Sequence, residues 1–307
     1  MRTIPALLVT IGLAVSLTAC ASNGAGTTPS SCAAPGDASA AVTATGAFGK
    51  EPKVSIPNGL TTKGTQVSVL RHGDGRQVDE GTPVQIAYTI LDGKNGEVAS
   101  TSGYTNQVAP ITAGASTYGA LGEAVECAHV GDRLAVALPK SAVNNPANGA
   151  PATSTGKAES AAIAVIDVQR AFDARATGTP QLAGDRMPAV VLAPSGAPGV
   201  TIPSWDAPTS DEVHLLRKGS GKVLTEKDNA VIKALVVPWT VGADATGSSW
   251  TGGAGAQVVS LAKGQLNPEG VRKALVGHRV GDQVLAVVHE QGAVDVYVID
   301  LLGSLSN

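Results

Sequence analysis

The chain has 307 residues, 43% of them apolar and 15% charged, with a formal net charge of −3. That length and apolar content suit two compact cores plus linkers. No run of Lys or Arg is interleaved with aromatics, which excludes a nucleic-acid surface, and 37 glycines with 18 prolines favour many short strands and turns over long helices.

The first twenty residues read as an address. Arg2 precedes an apolar run from Ile4 to Leu17, too short to cross ~30 Å of hydrocarbon comfortably, and the run ends in Leu17-Thr18-Ala19-Cys20. That ending resembles a bacterial lipobox. The resemblance implies that residues 1–19 are a signal peptide, that Cys20 carries a diacylglyceryl group, and that the protein sits on the extracytoplasmic face of the cell membrane, since two acyl chains anchor stably where one does not. An ordinary secretory signal or an uncleaved anchor is the alternative. Residues 20–40 are small and polar and read as a flexible tether. With Cys20 lipidated, Cys32 and Cys127 remain, and an even pair in an oxidising compartment points to a disulfide, with two buried or idle thiols as the alternative.

The body of the chain repeats itself. A constant offset of 146 pairs Val54-Ser55-Ile56-Pro57 with Val200-Thr201-Ile202-Pro203, and Arg71, Gly73 and Gly75 with Arg217, Gly219 and Gly221. Each copy runs strand, Gly-x-Gly turn, strand, and the second strand alternates (Val84, Ile86, Tyr88; Ala230, Ile232, Ala234) as a half-buried strand does. Downstream, Val130-Gly131-Asp132 recurs as Val280-Gly281-Asp282, and Val165-Ile166-Asp167 as Val298-Ile299-Asp300. The spacing from Asp132 to Asp167 is 35 residues against 18 from Asp282 to Asp300, so the first copy carries a 17-residue insertion. Two domains, residues 41–174 and 187–307, joined by a linker over 175–186, follow; one large β domain with two chance hairpins is the alternative.

Between turn and closing strands each copy holds one short helix. In the second, Asn267 is placed to cap, Pro268 to open, and Gly277 to end it; in the first, Leu121, Ala124, Val125 and Ala128 share one face. An antiparallel sheet wrapped over one helix, of class α+β, is expected in each copy.

At this point the residues reach a family. The strings "GDGRQVDEGTPVQIAYTILDGKNGEVASTS", "ALGEAVECAHVGDRLAVALPKSAV" and "IAVIDVQ" resemble the FKBP-type peptidyl-prolyl cis-trans isomerases, and "GSGKVLTEKDNAVIKA", "GSSW", "GVRKALVGHRVGDQVLAVV" and "VYVIDLL" repeat the resemblance more faintly. Tandem copies behind a lipobox resemble lipoproteins of this type in high-GC Gram-positive bacteria. The resemblance implies an aromatic cup that grips a proline ring and favours the twisted amide, lowering a barrier of ~18–20 kcal/mol without acid or base. It needs no cofactor and no metal, and its partners are proline-containing polypeptides or exported proteins.

Carried over residue by residue, the pocket falls on Tyr88, on Val98 in the place of the Phe of a Phe-Asp-Ser-Ser motif, on Tyr118 near a backbone-amide donor, on Leu121 where a floor tryptophan usually sits, on Val143 near a loop tyrosine, and on Ile166 in place of a closing aromatic. In the second copy the tyrosine becomes Ala234, the tryptophan Val271 and the closing aromatic Ile299. Nine aromatics in the whole chain cannot fill two pockets of about five each. Weak isomerase activity confined to the first copy is therefore expected, with a catalytically inactive peptide- or protein-binding module of the envelope, or a structural lipoprotein, as alternatives. Phosphate-loop, zinc-protease and serine-hydrolase motifs are each incomplete.

Overall fold

A computed structural model describes residues 32–104, 110–143, 157–182, 184–251 and 255–305, without the side chains of residues 115–117 and 143. The first half comprises α1 (Asp37–Ala40), β1 (Thr43–Thr45), β2 (Lys53–Ser55), β3 (Thr61–Thr62), β4 (Gln66–Arg71), β5 (Pro83–Asp92), β6 (Val98–Thr101), β7 (Ile111–Thr112), α2 (Ala115–Val125), β8 (Arg133–Pro139), α3 (Lys140–Val143) and β9 (Glu159–Ala171). The second comprises β10 (Thr179–Pro180), β11 (Ala189–Leu192), β12 (Pro198–Thr201), β13 (Glu212–Lys218), β14 (Asn229–Pro238), β15 (Gly247–Ser248), β16 (Gln257–Ser260), α4 (Glu269–Leu275), β17 (Gln283–Glu290) and β18 (Ala293–Leu305). The architecture is thus mostly antiparallel sheet with few, short helices.

Strand order exposes the repeat. The first sheet runs β4-β8-β9-β5-β6 with β7 also on β5, and the second runs β13-β17-β18-β14-β15 with β16 also on β14. Registers correspond too: Thr43 faces Ser55 in the first small hairpin and Ala189 faces Thr201 in the second, while Arg133 faces Asp167 and Gln283 faces Asp300.

The recurring motifs make one lock, used twice. Asp132 accepts the Gly73 N–H at 2.7 Å and the His129 N–H at 2.7 Å; Asp282 accepts those of Gly219 at 2.6 Å and Arg279 at 2.9 Å. A Cβ on Gly73 would sit 2.4 Å from the Val130 carbonyl oxygen, and one on Gly219 2.5 Å from that of Val280. Only glycine lets the turn approach the Val-Gly-Asp backbone closely enough for these charge-assisted bonds. The lock fixes where β4 leaves the first sheet and β13 the second.

Each sheet buries both faces. On one face of the first, Ala120, Ala124 and Val125 of α2 pack with Ile86, Leu134, Val136 and Ile166; on the other, Ala135, Ile163 and Val165 pack with Ala38 and Val42. In the second, Val271, Ala274 and Leu275 of α4 cover one face, and Ile202 with Val190 and Val200 of the β11–β12 hairpin covers the other. Burial of this kind, ~25 cal/mol per Å² of apolar surface, is the main force holding these layers together. Phe172 joins the halves by packing with Val231, Leu302 and Leu305, and the described residues fall in one compact unit.

Four expectations need correction. Residues 32–40, read as part of a tether, are docked: Ala38 and Ser39 are buried and their N–H groups donate to Gln66 Oε1 at 3.0 and 3.3 Å. Residues 175–186, read as a linker, include β10 on the edge of the second sheet and the buried Ala176, whose N–H donates to Asp300 Oδ2 at 2.8 Å. In both stretches small residues serve close approach rather than flexibility, since a Cβ on Gly36 or Gly178 would lie 2.4 Å from a neighbouring atom. Asn267 makes no capping bond, and Pro268 itself is the N-cap of α4. Helix α2 stops at Val125, so Ala128 lies beyond it, past a left-handed Cys127 at φ 66°.

Candidate functional site

Strand β5 sets the site. Val84 and Ile86 point into the core under α2, and the same alternation carries Tyr88 and Ile90 to its rim, where both are half-buried. The Tyr88 backbone is fixed on both sides: its N–H donates to Ser102 Oγ at 3.0 Å and its carbonyl accepts the Ser102 N–H at 2.9 Å. Across the rim α2 breaks its helical path at Tyr118 (φ −117°, ψ 16°) and Gly119 (φ 53°, ψ −135°), a backbone that glycine adopts readily. The break presents Tyr118 and, one turn on, Leu121 to the same cluster as Tyr88; Ala142 of α3 completes it. Burial pushes the Tyr118 phenol above its ordinary pKa, so it is neutral at physiological pH.

Three expected pocket residues fare differently. Val98 is 59% exposed on β6, all four of whose residues face solvent, so it forms no wall of the cup. Ile166 is fully buried on β9 opposite Tyr88 and serves the core beneath the site. The side chain of Val143 and residues 144–156, most of the insertion expected to overhang the cup, lie outside the described residues. Ile90 and Ala142 were not anticipated, although the spacing of Ile90 from Ile86 and Tyr88 carries the signal. Cys32 and Cys127 are disulfide-bonded, with Cα atoms 5.7 Å apart. Cys20 lies outside the described residues.

The second sheet lacks this rim. Ala234 keeps the backbone ties of Tyr88, its N–H donating to Ser249 Oγ at 3.0 Å, but offers only a methyl group, and α4 supplies Val271. Its conserved geometry without the aromatic surface leaves Tyr297 as the aromatic packed on that core. Among the described residues no group of three or more His, Cys, Asp or Glu could hold a metal ion. Chemically, the described residues of this rim offer aliphatic and phenol surface and no acid–base pair.

No protein-family model matches the chain, and no curated protein matches it. The solved structure of the three FKBP domains of wheat FKBP73 is similar over 80% of this chain and 96% of that one, at 13% identity and a TM-score of 0.31. A likeness at that level assigns neither activity nor substrate.

Proposed function

We propose that the protein is an FKBP-like prolyl isomerase or folding helper of the extracytoplasmic membrane face, with weak activity confined to the first repeat. What supports the reading is that Tyr88, Tyr118 and Leu121 are each half-buried against the one core cluster under α2, where the second repeat has Ala234 and Val271. An apolar cup that prefers a twisted amide to a planar one accelerates rotation with no proton transfer. Activity is weak because Val98 and Ala99 replace the aromatic and the carboxylate of the related motif, and each lost transition-state contact of ~1.4 kcal/mol costs tenfold in rate. The bonded Cys32 and Cys127 support an oxidising compartment, and the Leu17-Thr18-Ala19-Cys20 sequence supports lipid anchoring at Cys20.

The test is the cis-to-trans rate of a proline peptide with the full chain, with Tyr88→Ala and with Ala234→Tyr. Loss of acceleration in Tyr88→Ala alone is expected. Acceleration that survives Tyr88→Ala sinks the assignment of the cup, and no acceleration by the native chain favours the second reading, a peptide-binding module without turnover. The solvent-facing Val98 is the observation that favours that second reading.

A further inference from the structure

The chain's three tryptophans all lie in the second repeat, and two of them stand at a cleft of about 530 Å³. Its walls are the loop bearing Trp205 and Asp206, the turn after β14 with Trp239 and Val241, and the start of β18 with Asp295. Trp205 is 43% and Val241 64% exposed. Both indoles are pinned by their polar ends: Trp205 Nε1 donates to the Arg186 carbonyl at 2.8 Å, and Trp239 Nε1 to the Trp205 carbonyl at 3.2 Å. What remains available is ring face. Neither the Asp206 nor the Asp295 carboxylate makes an ion pair or hydrogen bond among the described residues, and among these no Lys or Arg lines the cleft.

The first repeat shows that the fold does not require any of this. The shared register matches Trp205 with Gly59, Trp239 with Gly93, Asp206 with Leu60 and Asp295 with Ala162. There the junction is closed by backbone bonds, Gly59 N–H to Lys94 carbonyl at 3.1 Å, Leu60 N–H to Gly93 carbonyl at 2.9 Å and Gly93 N–H to Ala161 carbonyl at 2.9 Å. A Cβ on Gly93 would meet the Ala161 oxygen at 2.4 Å. The second repeat keeps the last of these bonds, as Trp239 N–H to Val294 carbonyl at 2.8 Å, and replaces two glycines and two apolar residues by two indoles and two unpaired carboxylates. The exposed Trp205 adds little to folding, and two uncompensated carboxylates at one cleft subtract from it, while the half-buried Trp239 also packs on the core beneath.

We infer that this cleft binds an extended polypeptide segment carrying basic side chains. Indole faces attract ammonium and guanidinium groups, and flanking carboxylates add attraction and steer the approach. The chain itself supplies a precedent, because the Arg186 guanidinium lies 5.9 Å from the Trp205 ring centroid. The site is independent of the cup on the first repeat.

The test is calorimetric titration of the full chain with a glycine-serine peptide bearing four lysine or arginine residues, and with its glutamine counterpart. Saturable binding of the basic peptide alone is expected, weakening with added salt and at least tenfold in Asp206→Asn/Asp295→Asn. Asp206 is exposed, Asp295 is half-buried, and neither carboxylate has a partner to lose, so this near-isosteric variant is expected to fold and keeps the test open if Trp205→Ala or Trp239→Ala does not. Equal binding of the glutamine peptide, affinity unchanged in the carboxylate variant, no saturable heat, or binding of a neutral oligosaccharide in place of the basic peptide would each overturn the inference.

Discussion

Arg133 and Asp167 form a buried latch whose replacement the second repeat has already tried. Arg133 Nε and Nη2 donate to Asp167 Oδ1 and Oδ2 at 2.6 and 2.7 Å, its Nη1 and Nη2 reach the carbonyls of Gly46 and Ala47 at 3.0 Å each, and Asp167 accepts the Gly49 N–H at 2.6 Å. The pair therefore clamps the strap over 43–55 onto the sheet. In the second repeat Gln283 replaces the arginine and donates to Asp300 Oδ1 at 2.7 Å, while Lys233 on β14, opposite Asp300 in register where Ala87 is opposite Asp167, donates to the Ala174 carbonyl at 3.0 Å and acts on Asp300 only as a nearby positive charge. Arg133→Gln alone leaves Asp167 charged, buried and without a cation. Removing one partner of a buried pair costs about 3–5 kcal/mol; because glutamine keeps one donor to the carboxylate, the lower end, about 3 kcal/mol, is expected. Adding Ala87→Lys restores a cation and should recover about half of the loss. Urea unfolding gives both numbers, and hydrogen exchange of amides 43–55 reports whether the strap is released. Equal stability of the single and double variants, or unchanged exchange in the strap, would refute the latch.

Further expectations concern the same architecture. A methyl group at Gly73 or Gly219, as Ala, meets a backbone carbonyl and weakens the Asp132 or Asp282 lock, destabilising by about 2 kcal/mol, while Gly64→Ala, with open space around it, stays near neutral in the same denaturation assay. Burial alone would raise the Asp228 pKa, but hydrogen bonds from Lys222, Thr225 and Ser304 outweigh it and hold the carboxyl well below its ordinary value. A depressed native pKa adds stability that is present above the unfolded value near ~3.9 and is lost as pH falls through the native one. Asp228→Asn should therefore destabilise at pH 7 by a margin that shrinks below about pH 4; a margin constant down to pH 2 would contradict this. Replacing Cys32 and Cys127 by Ser opens a loop with a sequence separation of 95 and should cost about 4 kcal/mol in the chain-entropy model, measured by urea midpoint against the oxidised protein.

The repeat was readable in the sequence because its signals are local and steric. Gly-x-Gly and Val-Gly-Asp recur since the Asp carboxylate and the glycine backbone must touch, and no other residues permit it. Tyr88 and Leu121 pack on the core under α2, where strand and helix periodicity put them. Val98 and Ile166 were misread for one reason: a position carried over by resemblance fixes the strand, whereas exposure depends on what neighbouring chains cover, and β6 is an uncovered edge while β9 is central. Docked small residues such as Ala38 and Ala176 look like tether or linker in composition, because close approach and flexibility select the same amino acids. The tryptophan cleft left a signal of another kind, aromatics in the second copy where the first has glycine.

On the proposed reading these contrasts give the two repeats different work on one framework. The first keeps an aromatic rim on the face covered by α2 and closes the strap-side junction with Gly59 and Gly93; the second reduces the rim to Ala234 and Val271 and opens the junction with Trp205 and Trp239. The two sites thus lie on different sheets and on faces of opposite kind, one beside the helix and one beside the strap. Sites without shared partners act independently to within about 0.5 kcal/mol. Tyr88→Ala should accordingly leave basic-peptide affinity unchanged within about twofold, Asp206→Asn/Asp295→Asn should leave the isomerisation rate of a short neutral proline peptide unchanged to the same degree, and the combined variant should show both losses at their single-variant size. A longer substrate whose basic segment is joined to its proline by a linker long enough to span both sites gains from both through effective concentration, so its turnover should fall in the carboxylate variant while that of the short peptide does not. Equal sensitivity of long and short substrates would show that the cleft contributes nothing to client capture.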